Sequence, residues 1–127
     1  MTVLVLGSTG YAGMLLVRLL SSHPEVTTLF AVSGSAAGRP IRESDPGLSH
    51  RSAGKIPGEV YLSPEDAATK KPDAVLAALP HLESSKLLAP YYGRSVVIDL
   101  AADFRIQDTA IFEKAYCTPP PRGDLLS

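Results

Sequence analysis

The sequence predicts an α/β fold, a doubly wound and mostly parallel sheet of about five strands, and three observations carry that reading. Short unbroken apolar runs recur along the chain, segments with helical spacing lie between most of them, and turn residues close each run. The 127 residues, 45% of them hydrophobic, suffice for one sizeable core and not two, so residues 1–127 are read as a single domain.

Val3 to Leu6 is rich in branched residues and closed by Gly7, as suits a parallel strand buried on both faces. Tyr11 to Ser22 follows with a broad apolar helical surface (Met14, Leu15, Leu19), and Pro24 supplies its stop. A second apolar run, Val26 to Val32, ends at Ser33 and Gly34 and completes a β-α-β unit, expected to be right-handed. From Gly34 to Gly58 the periodicity dissolves into Gly, Ser, Pro and charges. That connection is far longer than the median of roughly 4–6 residues, and such loops are usually functional or disordered.

Glu59 to Leu62 is expected as a short third strand. Ser63 then caps a brief helix with Pro64 at its first position, ending near Lys70. Ala74 to Leu79, introduced by Pro72 and Asp73 and closed by Pro80, reads as the fourth strand. Ser84 or Ser85 caps a helix through Leu87 and Leu88 that Pro90 shortens before Gly93. Ser95 to Asp99 is the fifth strand, and Asp108 caps a last helix, Thr109 to Tyr116, ahead of an extended exit at Pro119–Pro121.

Composition excludes several function classes. Twelve Lys and Arg against thirteen Asp and Glu give a net charge of -1, so no positive field draws nucleic acid or an anionic membrane. The single cysteine, Cys117, permits neither an internal disulfide framework nor a cysteine metal cage and fits a reducing compartment, the cytoplasm. No apolar run approaches the roughly 20 residues that cross a bilayer, and the start at Met1 lacks a signal peptide's basic region. His23, His50 and His81 show no metal-ligand spacing, so no metal is expected.

The strongest chemical signal lies between the first strand and the first helix: Gly7-Ser8-Thr9-Gly10-Tyr11-Ala12-Gly13. In such a loop the first glycine allows a tight turn, the second lets backbone N–H groups approach a pyrophosphate, and the third lets helix and strand pack closely. The helix N-terminus adds its positive dipole end. The spacing is G-x-x-G-x-x-G rather than G-x-G-x-x-G, and Gly13 is followed by Met14, which argues against a nucleoside triphosphate loop. At the end of the second strand an NAD site would place a carboxylate for the ribose 2′-hydroxyl. Here Ser33, Gly34 and Ser35 stand instead, with Arg39 nearby, which favours NADP(H) as the cofactor.

Other candidates are weaker. His81 falls at the carboxyl end of the fourth strand, where ligands lie in such sheets, though a lone loop histidine is more often solvated. Asp99, Asp103 and Arg105 cluster after the fifth strand, and an ion pair ordering the turn is their expected role. Cys117 has no histidine near it in sequence and is not read as a nucleophile. His23 reads as a terminal cation at a helix end.

The glycine loop with Arg18-Leu19-Leu20 and His23-Pro24, the run Ala77-Ala78-Leu79-Pro80-His81, and Asp99-Leu100-Ala101-Ala102-Asp103-Phe104-Arg105 together resemble the N-acetyl-gamma-glutamyl-phosphate reductase family, from Val3 to about Tyr116. The glycine loop alone does not separate that family from its relative, aspartate-semialdehyde dehydrogenase. The resemblance implies a Rossmann-type domain and NADPH-dependent reduction of an acyl phosphate to a semialdehyde in arginine biosynthesis, through a cysteine thioester and hydride transfer. It implies that Gly7 to Gly13 cradle the pyrophosphate, that Ser33 and Ser35 form the 2′-phosphate region, and that Leu79, Pro80 and His81 wall the cofactor. Family members commonly have arginine where Ser35 stands, glycine where Leu82 stands, serine where Ala101 stands and glycine where Cys117 stands. They continue into a further strand bearing the nucleophilic cysteine and a second domain bearing the histidine, so no catalytic residue is assigned to this chain. The resemblance therefore implies the cofactor-binding portion of a reductase, inactive alone, whose open fifth strand invites the missing catalytic domain or self-association. The competing expectations are a stand-alone dinucleotide-binding module without catalysis and the corresponding domain of a related aspartate-semialdehyde dehydrogenase.

Overall fold

A computed structural model describes residues 1–48, 54–121 and 124. Four parallel strands, β1 (Thr2–Leu6), β2 (Thr28–Val32), β3 (Ala74–Ala77) and β4 (Val96–Asp99), form one sheet in the order β2-β1-β3-β4. The helices are α1 (Tyr11–Ser21), α2 (Pro64–Ala68), α3 (Ser84–Leu88) and α4 (Thr109–Tyr116). Because side chains alternate along a strand, each face of the sheet collects its own core. Val3 and Val5 of β1, Leu29 and Ala31 of β2 and Ala74 of β3 pack with Val17 of α1. Leu4 and Leu6, Val32, and Val75 with Ala77 pack on the opposite face with Ala67 of α2 and Leu88 of α3. Helices thus cover both faces, the doubly wound arrangement that the sequence predicts. Burying each of the β1 side chains from Val3 to Leu6, all at 2% exposure or less, is worth roughly 2 kcal/mol.

The local signals at α2 and α4 act as expected, whereas neither Ser84 nor Ser85 caps α3, which takes both serines into its first turn behind Glu83. Ser63 Oγ accepts the Asp66 N–H at 3.0 Å with Pro64 in the first turn, and Asp108 Oδ1 accepts from Ala110 and Ile111 at 2.9 and 3.2 Å. Pro90 ends α3 early, and the chain continues as a short 3-10 turn, Ala89–Tyr91.

Two expectations are corrected. The strand expected at Glu59 to Leu62 is reduced to single bridges, Val32 to Leu62 parallel and Pro40 to Val60 antiparallel. Gly58 and Glu59 both have positive φ just before it, which turns the chain out of line with the sheet. The connection from Gly34 to Gly58, where described, is neither free nor structureless. Ala36, Ile41, Leu48 and Ile56 are buried in the α1-side core, and Asp45, 3% exposed, accepts Arg18 Nε and Nη2 of α1 at 2.6 and 2.9 Å. Those hydrogen bonds, with the carboxylate's charge, raise the Arg18 pKa above its usual value. Residues 49–53, with His50, lie outside the described residues.

At β4 the α1-side face runs bare. Val96 and Ile98 pair in register with Ala74 and Leu76, yet they are 64% and 48% exposed. Val97, on the other face, packs against the second core.

Candidate functional site

The chain leaves β1, crosses to β2 on one side, and returns past β1 to β3, so the connections reverse direction at the carboxyl ends of β1 and β3. In open parallel sheets this crevice is where ligands bind. The glycine loop occupies it. Gly7 has φ +76° and lies against the turn after β3: a Cβ there would sit 2.3 Å from the Ala78 carbonyl oxygen. Gly13, on the first turn of α1, would place a Cβ 2.0 Å from the Gly7 carbonyl oxygen. Both positions exclude any side chain, which brings helix, loop and strand into direct backbone contact.

Ser8 is buried and acts as a strut. Its N–H donates to the Val32 carbonyl at 2.9 Å, its hydroxyl donates to the Val5 carbonyl at 2.7 Å, and the same oxygen accepts the Val32 N–H at 2.9 Å. The side chain and N–H of Ser8 therefore lock the loop to β1 and β2 and are not directed to a ligand. The Gly10 N–H donates to the Gly7 carbonyl at 3.1 Å, and Gly10 caps α1 without any side-chain hydrogen bond. The first turn of α1, Tyr11-Ala12-Gly13, contains no acidic residue either, leaving the positive end of the helix to an external anion.

A cleft of about 270 Å³ opens from this loop. Gly7, Thr9, Ser33, Gly34 and Ser35 form its polar side, and Leu79, Pro64 and Leu87 its apolar side, with Glu83 also lining it. Three hydroxyls run across the polar side: Thr9 Oγ1 lies 3.2 Å from Ser33 Oγ, which lies 3.4 Å from Ser35 Oγ. Ser33 Oγ also accepts the Ala36 N–H, so the turn after β2 is held in place. Sequence reading brought Gly7, Thr9, Ser33, Ser35 and Leu79 to this cleft together. It missed Pro64, Glu83 and Leu87, which come from elements distant in sequence and carry no local motif.

Other candidates lie elsewhere. The Arg39 guanidinium pairs with Glu43, Nε at 3.0 Å and Nη2 at 2.8 Å from Oε2. Pro80 and His81 are exposed, and the His81 ring stacks on Tyr116 of α4 at 5.2 Å, which in turn meets the buried Phe112 at 4.7 Å. His23 accepts the Glu25 N–H through Nδ1 at 3.2 Å and has no place in the cleft. The ion pair expected among Asp99, Asp103 and Arg105 is replaced by a different device. Asp103, fully buried, accepts the Leu82 N–H on both oxygens at 2.9 and 3.0 Å, while Ser84 Oγ donates to Asp99 at 2.6 Å and lies 3.2 Å from Asp103. The carboxylates tie the turn after β3 to the turn after β4, and Arg105 remains exposed. Cys117 is exposed at the left-handed C-terminal position of α4. Among the described residues no group of three or more His, Cys, Asp or Glu is arranged to hold a metal, and no helix is long and apolar enough to cross a membrane.

Comparison with known proteins agrees with this geometry. The sequence model of the semialdehyde dehydrogenase NAD-binding domain matches residues 2–120. A putative [LysW]-L-2-aminoadipate 6-phosphate reductase of Thermomicrobium roseum is 40% identical over 99% of this chain and 34% of that protein. An N-acetyl-gamma-glutamyl-phosphate reductase of Bordetella bronchiseptica is 39% identical over 97% of this chain and 34% of that protein. The chain thus spans about a third of the length of the curated relatives it matches. The crystal structure of an aspartate semialdehyde dehydrogenase with NADP from Candida albicans shares the fold, with a TM-score of 0.61 at 20% identity over 86% of this chain and 32% of that one. With the glycine cradle at the reversal of the sheet and the family's sequence pattern along nearly its whole length, the chain belongs to the semialdehyde dehydrogenase NAD-binding domain family.

Proposed function

We propose that this chain is the NADP(H)-binding portion of a cytoplasmic acyl-phosphate reductase acting on N-acetyl-gamma-glutamyl phosphate in arginine biosynthesis. The observation that carries the cofactor half of this reading is the pair of backbone contacts at Gly7 and Gly13, where a Cβ would collide with carbonyl oxygens at 2.3 and 2.0 Å. Such tight packing puts Gly7 and Thr9 on the wall of the cleft, next in the chain to the start of α1, and a dinucleotide's pyrophosphate would sit between them. Thr9, Gly10, Tyr11, Ala12 and Gly13 would hold it. Ser33 and Ser35, on the polar side, would take the adenosine ribose and its 2′-phosphate, and the apolar side formed by Leu79, Pro64 and Leu87 would take the adenine ring. When bound, the nicotinamide would supply or accept a hydride.

The substrate half rests on kinship. Several relatives near 39% identity over about 97% of the chain are named N-acetyl-gamma-glutamyl-phosphate reductases. Reductases named for [LysW]-linked 2-aminoadipate phosphate are equally similar, so this second acyl phosphate is the runner-up substrate. The chain's own groups bind and orient the cofactor but supply no nucleophile: Cys117 is exposed on the last helix, outside the cleft. Turnover therefore needs further polypeptide, and the bare β4 face with Val96, Ile98 and Leu100 exposed supports association there, with that polypeptide or between copies of the chain.

The first test is the melting temperature of the chain with NADPH, with NADH and with neither. A ligand that binds only the folded state raises stability by RT ln(1 + [L]/Kd). A larger shift with NADPH than with NADH is expected, with no acyl-phosphate reductase turnover by the chain alone. No shift with either dinucleotide, or turnover by the chain alone, would overturn the reading.

A further inference from the structure

Arg39 does not line the cleft but follows its hydroxyl residues Ser33 and Ser35 in the same loop, and an acid of that loop occupies its guanidinium. Ser33 Oγ accepts the Ala36 N–H and the Ala36 carbonyl accepts the Arg39 N–H at 3.0 Å, so two successive turns tie the Arg39 backbone to Ser33. The Arg39 carbonyl accepts the Tyr61 N–H at 3.0 Å, which fixes the backbone there. Its side chain is 66% exposed, so water surrounds its pair with Glu43. Glu43 ends the short turn Ile41–Glu43, anchored by the buried Ile41, and takes two N–H groups of the Arg39 fork.

We propose that Glu43 is an internal competitor for the 2′-phosphate of NADP and sets how strongly the site prefers NADP over NAD. The proposal rests on the reading of the cleft as a dinucleotide site. A phosphate monoester carries nearly two negative charges and accepts from a guanidinium fork more strongly than one carboxylate does. An exposed carboxylate–guanidinium pair is weak in water, so the exchange is readily reversed. With NADP bound, Arg39 leaves Glu43 for the phosphate; with NAD bound it has no reason to leave. Glu43 thereby opposes NADP twice, by holding Arg39 and by placing a negative charge near the phosphate, and NAD feels neither effect.

The experiment is a double-mutant cycle in equilibrium binding. NADP+ and NAD+ are titrated by calorimetry at low ionic strength into the 127-residue chain and its Glu43→Gln, Arg39→Gln and doubly substituted forms, after unliganded melting temperatures show that all four fold. Glu43→Gln is expected to tighten NADP+ binding about two- to fivefold, the scale of an exposed ion pair, and to leave NAD+ unchanged. Arg39→Gln weakens NADP+ alone, and in that background Glu43→Gln brings no gain beyond that of removing one remote charge. An unchanged NADP+ affinity in Glu43→Gln, or a full gain that persists without Arg39, overturns the proposal while the cleft reading stands. Failure of the parent chain to bind either dinucleotide overturns the cleft reading itself.

Discussion

Gly7 and Leu82 both have positive φ, +76° and +71°, in the segments that follow the neighbouring strands β1 and β3, yet only one of them is glycine. At Gly7 conformation and space make the same demand, because a Cβ would strike the backbone of Ala78. At Leu82 the conformation alone asks for glycine. A left-handed leucine costs roughly 1–2 kcal/mol, and its N–H recovers part of this on the buried Asp103. Cys117, φ +54° at the end of α4, repeats the Leu82 case on the exposed surface. A missing side chain is thus obligatory in the cleft and only a convenience in the turns around it. That explains why the two positions expected to be glycine by family resemblance, 82 and 117, hold other residues without loss of the turn.

Four substitutions and one control press this contrast, the four running from the largest effect down and the control following the first. Gly13→Ala sets a methyl against the Gly7 carbonyl with only rigid backbone around it. It is expected to cost about 3 kcal/mol or more in denaturant unfolding. Gly10→Ala, whose Cβ would have ordinary clearance at 3.5 Å, is the control and should cost under about 1 kcal/mol. Asp103→Ala strips the Leu82 N–H of its acceptor inside a buried turn and should cost about 2–3 kcal/mol, with faster amide exchange at Leu82 as its local mark. Leu82→Gly and Cys117→Gly should each raise stability, by about 0.5–1 kcal/mol, because they relieve conformation without creating a clash. A loss at either position would show that the leucine or cysteine side chain matters more than its backbone.

The smallest effect concerns Tyr91, fully buried, whose hydroxyl has no hydrogen-bond partner among the described residues. Burial raises its pKa above the usual value of about 10, and the nearby Arg94 partly opposes this. The folded-state pKa being the higher one, this contribution to stability is complete below pH of about 10 and fades as pH rises through the folded value. Tyr91→Phe should leave neutral-pH stability unchanged or raise it by up to about 1 kcal/mol, and should lessen the alkaline loss seen in melts across that range.

Much of this was legible in the sequence because the deciding forces are local. The apolar runs that form β1 to β4, the Ser63 and Asp108 caps and the spacing of the glycine loop each act within a few residues, and each forms where expected. What was not legible depends on partners far away in the chain. Asp103 had a cation two residues along, in Arg105, and instead took N–H groups of a turn some twenty residues earlier. Ala36, Ile41 and Ile56 are buried without any period because an irregular loop, and not a regular element, lays them on α1. Glu59 to Leu62 had strand composition, but positive φ at Gly58 and Glu59 left room for only isolated bridges. In the site, the polar side was readable as one motif plus one strand end, whereas Glu83 and Leu87 arrive with α3 and its approach.

The Ser8 strut has a kinetic consequence. With its hydroxyl and N–H bonded to Val5 and Val32, the glycine loop is already held in place before any ligand arrives. An anion reaching the start of α1 meets a wall that has nothing left to rearrange, so encounter by diffusion is expected to set the association rate there. The loop after β2 differs, since Arg39 must first let go of Glu43. Capture of a phosphorylated dinucleotide would then show two phases in rapid mixing, a fast docking common to both dinucleotides and a later rearrangement confined to the one carrying the extra phosphate.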